Sequence, residues 1–280
     1  MANELILAKP TDQEVPDYVL AAGDADLGDL DVYISPARLK IVQGTARAPF
    51  DQYDKGTAVI LPVMQVLARP GESFLFTPVF MFPEWLLVNP LSTQGELPMI
   101  RERTFDKSSE LAERAKDPAR RYQSCPEKPS QDMKNQMCYV EALNFMCVIH
   151  GIPIMQGVPI VMSFQKGEHF SGRKLATLIK MRNAKMYAGI YVASTGAPRR
   201  NADGAWYGVD CTNPTSEVSP TWVDVTSFAL FGEMHDGLKA EKDRIMVNYA
   251  DTDLGESAGE DDADTDLGES AGEDDASSEF

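Results

Sequence analysis

Three apolar runs between Thr57 and Pro90, "TAVILPVMQVLA", "ESFLFTPVFMF" and "EWLLVNP", constrain what this chain can become more than any other feature. They are rich in Val, Leu and Phe and are bounded by turn residues, which favours strands over helices. Pro62 and Pro78 fall inside them and point to edge positions or bulges, because proline cannot donate to a ladder.

The same pattern recurs on either side. "VYISPARLKIVQG" breaks into short β-prone pieces, and "PIVMSFQ", "MYAGIYVAST", "WYGVDCT" and "TWVDVTSFAL" read as further strands, with a turn at "APRRNADGA". "YVEALNFMCVIHG" reads as either a buried strand or a short helix, since periodicity does not separate the two. Residues 101–136 are charged and lack an apolar stripe, so they read as a short helix near 109–116 followed by an insertion loop. "SGRKLATLIKMRN" places Leu175, Leu178, Ile179 and Arg182 on one helical face, and residues 233–248 look like a closing helix. This order suits a mainly β fold, an elaborated five- or six-stranded antiparallel barrel with minor α, better than alternating βαβ units. It spans residues 31–249, after a polar segment at 1–30.

The last thirty-one residues are of another kind. A thirteen-residue unit, "ADTDLGESAGEDD", occurs at 250–262 and again unchanged at 263–275, before "ASSEF". Its Gly, Ser, Asp and Glu bury too little apolar surface to offset ordering entropy, so residues 250–280 are expected to be a disordered acidic tail. That tail holds 13 of the chain's 43 acids and none of its 26 bases, leaving the body with 30 acids against 26 bases. The formal charge of −17 is therefore mostly a property of the tail.

No apolar run is long enough for a membrane helix, and the N-terminus lacks a basic region followed by an apolar stretch. A cytoplasmic setting is expected, with the four cysteines as thiols or metal ligands.

Residues 166–185 form the most basic stretch, with Lys166, Arg173, Lys174, Lys180, Arg182 and Lys185 against one acid, Glu168. Tyr187, Tyr191, Arg199, Arg200, Trp206 and Tyr207 follow. Cations that track phosphates beside rings that stack on bases are what a single-stranded nucleic-acid groove requires. Tyr187 and Tyr191 would share a face if both lay in one strand. The same residues also read as an amphipathic helix with a solvated basic face beside core aromatics. The near-neutral body weighs against tight duplex binding.

A barrel-like body with a basic, aromatic stretch and an acidic tail ending in Phe280 resembles the single-stranded DNA-binding proteins of bacteria and especially bacteriophages. "ISPARLKIVQG" and "PIVMSFQKGEHFSGRKLATLIKMR" carry the same resemblance. It implies an OB-fold core that binds single-stranded DNA in replication or recombination without being an enzyme. It further implies a tail that competes for the DNA groove and recruits partner proteins through Glu279 and Phe280. The ending "ASSEF" departs from the bacterial Asp-Asp-Asp-Ile-Pro-Phe pattern. A protein-binding or DNA-mimicking inhibitor of a host nucleic-acid enzyme, and a virion or scaffolding component, remain as alternatives, and a homo-oligomer is compatible with each.

Cys125, Cys138, Cys147 and His150 are ligand types suited to a structural Zn²⁺, and "CVIH" has the gap of a ligand pair. Isolated buried thiols are the commoner outcome, and no cofactor is expected. No phosphate-binding loop, G-x-S-x-G, H-E-x-x-H or calcium loop is present, so the sequence points to no enzyme class.

Overall fold

The computed structural model describes residues 36–44, 49–88, 100–117, 138–152, 158–196, 198–201, 204–215 and 220–242. The acidic tail, the N-terminal segment and Cys125 lie outside them, as does the side chain of Arg200.

The apolar runs do form strands, and two of them fuse. After β1 (Ala37–Ile41), β2 (Ala58–Leu61) and β3 (Gln65–Ala68), strand β4 runs unbroken from Ser73 to Val88. Its N-terminal end, residues 73–76, pairs with β8 (Tyr191–Thr195), and its C-terminal end pairs with β5 (Ile100–Thr104). Along most of its length it pairs with β6 (Tyr139–Ile149). Pro78 and Pro83 fall between the β8 and β5 pairings, where among the described residues β4 has a partner on one side only, so neither costs a ladder bond there. A bulge between Pro78 and Phe80 adds one residue and reverses the alternation. Phe74 and Phe76 face one side of the sheet, whereas Phe80 and Phe82 face the other.

β6 also pairs with β7 (Ile160–Phe164), and β11 (Val209–Thr212) pairs with β8. Among the described residues, nine strands make one sheet in the order β11-β8-β4-β6-β7-β1-β2-β3, with β5 attached to β4. The β1–β7 contact is parallel and every other pairing is antiparallel. The fold is therefore mainly β, as expected, with more strands than the five or six read from the sequence. The sheet curls into a half-barrel compatible with an OB-like barrel. One core shows the curl: Ile60 and Leu67 from one end of the sheet pack with Tyr191, Val209 and Cys211 from the other.

Among the described residues, three helices cover the sheet. α1 (Glu110–Lys116) starts where Ser109 Oγ accepts from Ala112 N, and it lays Leu111 and Ala115 on Trp85 and Tyr139. α2 (His169–Met181) packs Leu175, Leu178 and Ile179 against the inner core. α3 (Val225–Ala240) covers the opposite face through Phe231, Met234 and Leu238.

Three expectations change. Residues 221–230 are not a strand: Asp224 accepts from Thr226 N and Ser227 N and so starts α3, and Val223 precedes it. The closing helix consequently begins at Val225 rather than at 233. "IRERT", inside the expected insertion, is strand β5, because its edge is free to pair with the end of β4.

Candidate nucleic-acid interface

β1 and β7 pair only at Ala37↔Ile160 and Arg38↔Val161. Beyond these pairs the strands part, and a cleft of about 270 Å³ opens between residues 39–41 and 162–164. Arg38, Lys40, Gln43, Gln165, Glu168 and Tyr207 bring polar groups to it. Deeper in, Glu84 is only 1% exposed; it accepts from Asn144 Nδ2 at 3.1 Å and ion-pairs with Arg103 Nε at 2.7 Å.

Two aromatic residues at the rim are held in place by their surroundings. Gln43 grips the Tyr207 main chain at both ends, donating from Nε2 to its carbonyl at 2.9 Å and accepting its N–H at 3.0 Å. The ring lies on Gly56, where a Cβ would come within 2.7 Å of Tyr207 Cδ1 and where φ is +89°. Trp206 lies on Gly167, whose Cβ would meet the indole at 2.8 Å, and donates from Nε1 to Glu168 Oε1 at 2.9 Å.

Glu168 is the organiser that sequence reasoning missed. Its carboxylate accepts from Trp206 Nε1, from Arg199 Nη1 at 2.9 Å and from Val209 N at 3.2 Å. Arg199 adds a bond from Nη2 to Ser171 Oγ at 2.9 Å. The pairing joins the start of α2 to the hairpin β9 (Arg199–Asn201) and β10 (Gly204–Trp206). The available signal was that Glu168 is the lone acid among six cations; such an acid is a natural internal partner for one of them.

The basic stretch divides in two. Lys174 Nζ pairs with Asp210 at 2.8 Å. Arg182 donates to the carbonyls of Thr221 and Ile190 and to Asn213 Oδ1, with its guanidinium 4.3 Å from the Tyr191 ring centroid and 5.1 Å from that of Trp222. Burial lowers the Arg182 pKa, partly opposed by Tyr191. Arg173, Lys180 and Lys185 are exposed and make no ion pair among the described residues, and Lys166 is exposed at the cleft end of α2. Arg173 and Lys180 are seven residues apart and so share the solvent face of α2, which also carries Phe170, 74% exposed. The six cations thus do not line one concave surface.

No family model, curated protein or solved structure matches this chain.

The aromatic expectations also change. Tyr187 sits in a 3-10 turn, Met186–Ala188, not in a strand with Tyr191, so the two do not form a pair on one face. Tyr191 is fully buried, and burial raises its hydroxyl pKa against the pull of Arg182.

The zinc set does not assemble. About 30 Å of strand separates Cys138 from Cys147, at roughly 3.3 Å per residue. Cys138 is in a disulfide rather than being a thiol, and His150 Nε2 is bonded to Thr77 Oγ1 at 2.8 Å. No metal-binding cluster occurs among the described residues.

Cys147 and Cys211 are buried free thiols. Burial, with the charge of Asp210, pushes Cys211 up to about 12, and burial pushes Cys147 well up too. Alkylation at about pH 8, read by peptide mass spectrometry, is expected to leave both unmodified in the native protein and to label both once it is unfolded.

Burial also holds His150 below the usual imidazole value, Asp224 pulling weakly the other way. The unfolded chain then takes up a proton that the folded chain does not. Stability is therefore complete above the unfolded value near 6.5 and is lost as pH falls through it towards the folded value. Thermal melts between about pH 7.5 and 5.5 should show a fall that is smaller in His150→Asn.

Proposed function

We propose that this chain binds single-stranded DNA without regard to sequence, as a non-enzymatic cytoplasmic protein of phage replication or recombination. The observation that carries the reading is the row of uncommitted cations, Arg173, Lys180 and Lys185, leading away from a cleft that already holds Arg38, Lys40 and the fixed ring of Tyr207. Phosphates would follow the cations while bases meet the rings. In this reading Glu168 and Arg199 act by positioning Trp206, not by touching DNA. The acidic tail would compete for the same cations, and Glu279 and Phe280 would contact partner proteins.

The test is fluorescence anisotropy of labelled oligo-dT, with duplex and RNA controls, on the full chain and on a chain ending at Ala250, across salt concentrations. The shorter chain is expected to bind more tightly, with log affinity falling linearly in log salt by about 0.7 per phosphate contact. Arg173→Gln and Lys180→Gln should each reduce that slope by about 0.7 and change stability by less than about 0.5 kcal/mol.

The protein-binding alternative gains from the division of the basic stretch, since Lys174 and Arg182 are spent inside the fold. Absence of nucleic-acid binding at low salt would favour it, and the tail would then serve as bait for a protein partner.

A further inference from the structure

Resting on the single-strand reading, we propose that Trp222, Phe228 and Tyr187 form a second base-stacking platform, beyond the C-terminal end of α2. It would take nucleobases of the same strand whose phosphates run along Arg173, Lys180 and Lys185. None of the β-strand aromatics contributes to it, and two of its three rings lie in the segment that reads as a strand in the sequence.

Two of the rings are open, Tyr187 is half-buried beneath Phe228, and their base is rigid. Trp222 is 48% exposed and Phe228 40%. The guanidinium of Arg182 lies against the Trp222 ring and is itself fixed by bonds to Thr221, Ile190 and Asn213, so one side of the indole is supported. The Trp222 main chain is bridged to Gly189, with Ile190 N donating to Thr221 O at 3.1 Å and Val223 N to Ala188 O at 3.1 Å. Tyr187 and Phe228 have ring centroids 5.2 Å apart, which joins the turn after α2 to the first turns of α3. Rings held this way lose little freedom when a base stacks on them, so more of the stacking energy appears as affinity.

Charge selects the occupant. Lys185 lies two residues before Tyr187 and Lys180 in the last turn of α2, both exposed. Asp224, the acid nearest Trp222 in sequence, stays ionised but turns its carboxylate onto Thr226 N, Ser227 N and Ser227 Oγ at the start of α3, whose N-terminal dipole partly offsets its charge. Rings bordered by lysines fit a polyanion with flat apolar bases better than the apolar surface of a second copy of this chain.

The experiment uses the full chain and an unlabelled oligo-dT at low salt, following tryptophan emission, together with the anisotropy assay. Trp85 is buried, which leaves Trp206 at the cleft and Trp222 at the platform as reporters. DNA is expected to quench emission, and Trp222→Phe, which keeps a ring, to remove at least half of the quench. Trp222→Ala and Phe228→Ala should each weaken binding about tenfold while leaving the salt slope unchanged, since a stacking contact is lost and no phosphate contact. If the wild type binds but Trp222→Phe keeps the full quench and both alanine variants bind as tightly, the platform is wrong and the single-strand reading survives. Loss of self-association in those variants by sedimentation velocity, with DNA binding unchanged, would assign the surface to a second copy instead. If the wild type binds no oligo-dT, the single-strand reading itself fails, and the platform with it.

Discussion

Glu84→Ala is expected to lower the free energy of unfolding by about 3–5 kcal/mol, read as a reduced midpoint in urea with little change in slope. The carboxylate sits in the C-terminal half of β4, almost without solvent, and answers both Asn144 Nδ2 and the guanidinium of Arg103. Removing it takes the carboxylate away from a guanidinium that is itself only 11% exposed. Glu84→Gln separates the contributions: it keeps the volume and an acceptor for Asn144 but loses the charge opposite Arg103, so its cost should be distinctly smaller. Equal costs for the two variants would mean that the charge, not the packing, accounts for the whole effect.

The second large effect lies inside the basic stretch. Arg182→Ala is expected to cost about 2–4 kcal/mol, because the Ile190 carbonyl and Asn213 each lose a donor, the Thr221 carbonyl keeps only Ile190 N, and two rings lose the cation between them. Lysine should recover little of this, since one ammonium cannot reach acceptors arranged for a planar fork. The contrast with Arg173, nine residues earlier and exposed, is the informative part: its loss should leave thermal unfolding unchanged. Similar melts for the two variants would show that Arg182 is as dispensable to the fold as a surface residue.

These two arginines also show how far sequence could go. The stretch 166–185 was legible as a helix with cations, because periodicity reports which face is apolar. Arg182 shares the Leu175–Ile179 face, which hinted that it points inward, but its acceptors are main-chain carbonyls that no sequence announces. Glu168 was equally hidden, since its partners lie 31 to 41 residues away, on a hairpin and on β11, which tertiary packing brings back. The strands of residues 57–88 were legible from composition, whereas the continuity of β4 through two prolines depended on which edge went unpaired. The start of α3 was overridden by its β-branched residues, although Asp224 with Ser227 three residues on is a cap signal. The cleft could not be foreseen, because it exists only where two strands distant in sequence pair briefly and then diverge.

The central place of β4 has a consequence for how the chain is made. Its partners β6 and β8 end at Ile149 and Thr195, so a ribosome finishing Val88 has roughly a hundred residues still to add before both edges can be closed. At a synthesis rate of about 10 residues per second, that apolar ribbon waits on the order of ten seconds with its hydrogen-bonding groups unanswered. The interval exposes the nascent protein to its own neighbours on a polysome, and the strand that unites the finished sheet is its most hazardous segment until Thr195 emerges.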